Sequence, residues 1–234
     1  MLVEQAIYTS AETSRGRGYH LVSRSAGITR GLETLLNVWC PSHTSLRDRE
    51  DDASSLNFHP LDQHLFSLSR TVNGGPEFSQ RGGLQVVTMI LVVHREQLAG
   101  YGYNSLALAR TTRALGHLRW TNTFPTRLPA LELPDEASSE SIVPPNRQPF
   151  PALDKTINLL RRDEEVALLV EDDGLSSIES ILEQLPQSER CRLSFTSGLK
   201  PSNQRPFRLH VLRDTDAKTQ KKLSSRNVHC VATS

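Results

Sequence analysis

The densest gathering of potentially reactive side chains in this sequence runs from Asn57 to Gly83. His59 and His64 flank Asp62, and imidazole with carboxylate is a donor set that transition metals accept. Five residues of extended chain turn the two rings to opposite faces, and no neighbouring Cys or His cluster completes a tetrahedron, so neither a metal nor a cofactor is expected. His59 reads instead as a hydrogen-bonding histidine at a sheet edge, with general acid–base work as the alternative. Gly74-Gly75 and Gly82-Gly83 raise phosphate binding, because backbone amides can approach an anion where side chains are missing. Neither pair is followed by the Lys-Ser or Lys-Thr of a P-loop, and both read as turns. Arg81, beside Gly82-Gly83, and Arg70, at a strand end, can form a small anion or carboxylate site through paired guanidinium donors. A structural clamp between Arg81 and Glu77 is equally open.

Other candidates are weaker. Cys40 follows Trp39 at a helix end and reads as a buried, inert thiol, although His43 is close. Ser67 and Ser69 lack the Gly-x-Ser-x-Gly elbow that exposes a hydrolase nucleophile. The Gly198–Ser202 stretch, Asp214 with Asp216, and the Arg15 and Arg17 tip read as solvated loops.

The elements that must hold these residues follow from periodicity. Val3 to Thr9 and Tyr19 to Ser25 read as a hairpin of strands, and Ile28, Leu32, Leu35, Leu36 and Trp39 as a helix that Pro41 stops. Ser42 is placed to cap a further helical turn through Leu46 to Glu50. Period-two geometry puts Leu56 and Phe58 on one face of a strand and Asn57 and His59 on the other. The next run places Phe66, Leu68 and Arg70 together, opposite Leu65, Ser67 and Ser69. Val86 to Val93 shows no alternation, as expected of a central strand covered on both faces. Asn104 or Ser105 caps a helix that Gly116 ends. Later come helices around Leu153 to Leu160 and Ile178 to Leu185, the second with a Ser176/Glu179 capping box. Strands are expected at Val166 to Val170, Arg192 to Thr196 and Phe207 to Leu212, and the polar tail 214–227 is expected to fray.

These elements predict an α+β fold: a mixed, mainly antiparallel sheet with flanking helices, and a smaller α/β second domain. The Pro- and Ser-bearing stretch 134–151 reads as a linker between an N-terminal domain, 1–133, and a second domain, 152–234. With 27 basic and 26 acidic side chains the formal charge is +1, which provides no global field for phosphate backbones, so a nucleic-acid partner is not expected. The first residues carry no basic segment before an apolar core, and the longest apolar run is far shorter than the roughly 20 residues of a spanning helix. Three scattered cysteines argue for a reducing compartment, and a cytoplasmic protein with no membrane association is expected.

Several segments carry a resemblance. Val3-Glu4-Gln5-Ala6-Ile7-Tyr8, Gly18-Tyr19 with Arg24-Ser25 and Gly27, Asn57-Phe58-His59-Pro60-Leu61, Ser69-Arg70-Thr71 and Glu77 to Gly83 resemble the N-terminal type-2 domain of bacterial GTPase-associated proteins. Leu193 to Leu199 with Arg205-Pro206-Phe207 is similar to the segment that follows it there. The resemblance implies a component encoded with a GTPase in bacterial conflict or signalling systems. Its expected role is a non-catalytic adaptor or scaffold for that GTPase or an effector. The alternative is an enzyme acting on a small anionic substrate, with His59 as acid–base and Arg70 and Arg81 as anchors. In either case recognition is expected at a rim of Asn57, His59, Arg70 and Arg81 beside Gly82 and Gly83.

Overall fold

The computed structural model describes residues 1–13, 16–47, 53–77, 84–121, 123–137, 150–205, 207–213 and 217–233. The first three strands are β1 (Leu2–Thr13), β2 (Gly16–Arg24) and β3 (Ser54–Pro60), followed by β4 (Leu65–Pro76) and β5 (Leu84–His94). Every residue from Val86 to Val93 in β5 is buried. That strand lies between β4 and β1, antiparallel to both, and its faces join two packed clusters, Val87, Met89, Leu91 and Val93 in one and Ile90 and Val92 in the other. β2 extends the sheet beyond β1 as the expected hairpin, with Arg17 paired to Glu12 at 2.9 Å near its tip, and β3 extends it beyond β4.

Helices cover both faces. Helix α1 (Arg30–Trp39), capped by Thr29, brings Leu36 onto Ala6, Tyr8, Ile90 and Val92. Helices α2 (Arg95–Ala99) and α3 (Ser105–Ala114) cover the other face, where Leu98, Leu106 and Leu108 join Val87, Leu91 and Val93 in the main core. Asn104 is the α3 cap, its Oδ1 accepting from the amides of Leu106 and Ala107 at 3.0 and 3.1 Å. Residues 42–47 make a turn in which Leu46 bridges to Leu199; the rest of the helical turn expected up to Glu50 lies outside the described residues. A short strand, β6 (Leu131–Glu132), pairs with the start of β1.

The chain after residue 150 builds a parallel extension of the same sheet. It contains helix α4 (Leu153–Arg161), β7 (Val166–Val170), α5 (Leu175–Gln184), α6 (Gln187–Arg190), β8 (Phe195–Ser197), β9 (Leu209–Arg213), α7 (Ala217–Ser224) and β10 (His229–Ala232). Among the described residues the strand order is β10-β7-β9-β8-β3-β4-β5-β1-β2. β8 is the joint: it runs parallel to β9 and antiparallel to β3, pairing Phe58 with Phe195. Residues on both sides of 134–151 thus share one sheet, and Phe58, Leu68, Leu108, Ile178 and Leu209 belong to one core. The expected α+β class with a mainly antiparallel sheet is what the structure has.

Two local expectations are corrected. Residues 217–224 of the tail expected to fray form α7, which buries Leu223 against Ala167 and Leu212, and β10 follows on the edge of β7. Ser176 lies inside α5 rather than at its cap, and Glu179 is committed to Arg110 at 2.7 Å. The cap is Gly174 at φ +65°, with the carboxylates of Asp172 and Asp173 accepting from the amides of Gly174 and Leu175 at 2.7 and 3.1 Å. A Cβ on Gly174 would run into Val211 Cγ1. Gly174→Ala therefore combines a left-handed backbone cost of about 1–2 kcal/mol with a core clash, and urea unfolding is expected to show a loss of at least about 2 kcal/mol.

Candidate functional site

Strand pairing decides which of the singled-out residues can meet. Leu56 lies opposite Arg70, Asn57 opposite Ser69, and His59 opposite Ser67 across the β3–β4 ladder. Paired residues share a face and successive residues alternate, so Asn57 and His59 face α1 while Arg70 faces the opposite side with Leu56. The structure brings Asn57 and His59 together and holds Arg70 apart from them by the thickness of the sheet. Arg81, Gly82 and Gly83 lie outside the described residues. Glu77, the partner considered for Arg81, accepts from Ser10 Oγ at 2.9 Å.

Asn57 is the hub of a buried hydroxyl network. Its Oδ1 accepts from Ser55 Oγ at 2.6 Å and Thr196 Oγ1 at 2.5 Å, and its Nδ2 donates at 3.4 Å to both Ser69 Oγ and Thr71 Oγ1. Thr71 in turn meets Thr88 at 3.0 Å. This network crosses from β8 through β3 and β4 to β5, and fixes the register of the joint by satisfying groups that would be costly to bury alone.

His59 sits beside this network under an aromatic cover. The Trp39 ring stands edge-on at 4.0 Å between centroids, Phe207 lies at 5.9 Å, and neither imidazole nitrogen has a partner. Burial pushes its pKa down to about 3, so the ring is neutral at ordinary pH. The void it borders, lined also by Cys40, Ser67 and Thr88, measures about 10 Å³, which is the space of a single water. Cys40 is half-buried beside it, and desolvation raises its thiol pKa far above the usual range. His64 is exposed, and Asp62 accepts from the amides of His64 and Leu65 at 2.7 Å, shaping the β3–β4 turn.

A larger concave feature lies on the other face. A cleft of about 300 Å³ opens where β7, β8 and β9 end, next to the start of β3. Arg70, Arg113, Arg213 and Arg47 line it, with Asp172 and Asp173 on the β7 side. Arg70 Nη1 donates to the Leu118 carbonyl at 3.2 Å, and Arg213 Nε to the Glu171 carbonyl at 3.2 Å. Desolvation first, and the nearby Arg113 guanidinium second, hold the Arg70 pKa below its ordinary value. Gly198 closes the floor: at φ +94° it brings the end of β8 against β3, where a Cβ would lie 2.7 Å from the Ser54 carbonyl oxygen.

Residues 2–134 match the family model described as GTPase-associated protein 1, N-terminal domain type 2. The chain belongs to this family. No curated protein and no solved structure matched it. The GTPase-associated domain so bounded contains β1 to β6 and α1 to α3. It supplies Arg70 and Arg113 to the cleft, while Asp172, Asp173 and Arg213 come from the chain beyond it. No helix among the described residues is long and apolar enough to cross a membrane.

The sequence reading did not single out Arg47, Arg113, Arg213, Asp172 or Asp173. One signal was available for the aspartates: Glu171-Asp172-Asp173-Gly174 follows an apolar strand and precedes a helix, and open α/β sheets bind ligands at the carboxyl ends of their strands. His210 was missed as well. It is fully enclosed on β9 and meets Glu165 Oε1 through Nε2 at 2.7 Å.

Proposed function

We propose that this protein is a non-catalytic adaptor or scaffold that docks a partner GTPase or effector encoded beside it in a bacterial signalling or conflict system. The observation that carries this reading is the family match across residues 2–134, whose description couples the domain to a GTPase. The enzyme alternative draws no support from the geometry. An acid–base His59 needs room for a substrate and anchoring arginines on its own side. Instead its ring borders the space of one water, and Arg70 is on the far face of the sheet.

The test is co-purification of the intact chain with the GTPase encoded next to it, loaded with guanosine diphosphate or a non-hydrolysable triphosphate analogue. Retention is expected, with a preference for one loading state. No retention in either state overturns the adaptor reading.

A further inference from the structure

We propose that the cleft at the ends of β7, β8 and β9 is a binding site for a small phosphorylated molecule no larger than a mononucleotide. Its phosphate would sit on Arg70, Arg113 and Arg213, and its hydroxyl-bearing end toward Asp172 and Asp173. Among the described residues, Arg70, Arg113 and Arg213 line this space opposite Asp172 and Asp173, and the ion pairs there include none of the three arginines. Two of these guanidiniums are already aimed, because Arg70 and Arg213 each spend a donor on a backbone carbonyl. A guanidinium has five donors, so several remain for an anion. Arg70 and Arg113 repel one another in the half-buried cleft, and an anion between them converts that repulsion into two charge-assisted contacts.

The topology favours the same place. β7 leads through α5 to β8 on one side, while β9 leads through α7 to β10 on the other. These connections leave adjacent strands in opposite directions and pack on opposite faces, with Ile178 and Ile181 of α5 in the main core and Leu223 of α7 in the cluster with Ala167 and Leu212. That arrangement opens a crevice beyond the carboxyl ends of β7 and β9, lined by Val170 and Arg213, which are paired in register. A volume of about 300 Å³ is at the small end of ligand sites and suits a phosphate ester rather than a dinucleotide or a peptide.

The intact chain, without any partner, is titrated calorimetrically with inorganic pyrophosphate, ribose 5-phosphate, adenosine monophosphate and guanosine monophosphate. Ribose and the two nucleosides serve as unphosphorylated controls. Saturable binding of at least one phosphorylated probe is expected, weakened roughly ten- to a hundredfold by Arg113→Gln and by Arg213→Gln. Both side chains are exposed, so the variants should keep the parent melting temperature, which is measured alongside. Binding of no phosphorylated probe at about 5 mM, equal binding of the unphosphorylated controls, or affinity indifferent to both substitutions would overturn the site. Such a failure leaves the docking of a GTPase untouched, because no partner enters the measurement.

Discussion

Acidification from pH 6.5 to about 3 is expected to remove up to about 5 kcal/mol of stability through His59 alone. The folded protein keeps this imidazole neutral until about pH 3, whereas in the unfolded chain it takes up a proton near its ordinary 6.5. Between those values the unfolded state holds more protons, so stability falls as pH falls; above 6.5 both states are neutral and the effect vanishes. The cause is geometric. Charging the ring would place a cation against Trp39 and Phe207 with no acceptor for either N–H. Urea unfolding of the parent and of His59→Leu at pH 7 and pH 4 isolates the effect, since every other titrating group is shared. The parent should lose about 3 kcal/mol more than the variant across that interval. Equal losses would mean that His59 reaches solvent or a hidden acceptor.

Phe58→Ala is expected to cost about 3–5 kcal/mol, which for a protein of this size lowers the melting temperature by roughly 10 °C. Phe58 is fully buried between Phe66, stacked at 5.7 Å between centroids, and Phe195 at 6.1 Å. These rings come from β4 and β8, so truncation leaves a cavity across the joint of the sheet rather than inside one half of it. Phe58→Leu should cost much less, because it refills most of the space. A loss below about 1 kcal/mol for the alanine variant, measured by urea unfolding, would show that the β3–β8 contact contributes little to the fold.

Local pattern made much of the architecture legible. Unbroken hydrophobicity marked Val86 to Val93 as a strand covered on both faces, and alternation put Asn57 and His59 opposite Phe58. Asn104 and Gly116 marked the ends of α3 because caps depend on residue type and not on distant partners. The candidate site was less legible for a specific reason. Alternation assigns faces within one strand, but only the ladder says which faces of two strands coincide. The pairing of Leu56 with Arg70 therefore separated residues that looked close in sequence. The cleft was hidden for the same reason, since Arg70 and Arg213 come together only through the β3–β8–β9 order. The tail misled because its polar, Lys-rich composition suggested exposure, while a single residue, Leu223, is enough to dock α7.

The joint also bears on how this chain is made. The Leu56 amide donates to Ser197 Oγ across 141 positions of sequence. A ribosome adding about 5–20 residues per second needs roughly 7 to 30 s to supply β8 after β3 has emerged. For that interval the nascent sheet can close from β2 to β3 yet keeps an open margin, where the backbone groups of Leu56 to Phe58 that later pair with β8 are unclaimed. Asn57 with the hydroxyls of Ser55, Ser69 and Thr71 already makes that margin polar, so the residue that fixes the register in the finished protein also makes its unfinished edge less attractive to apolar strangers.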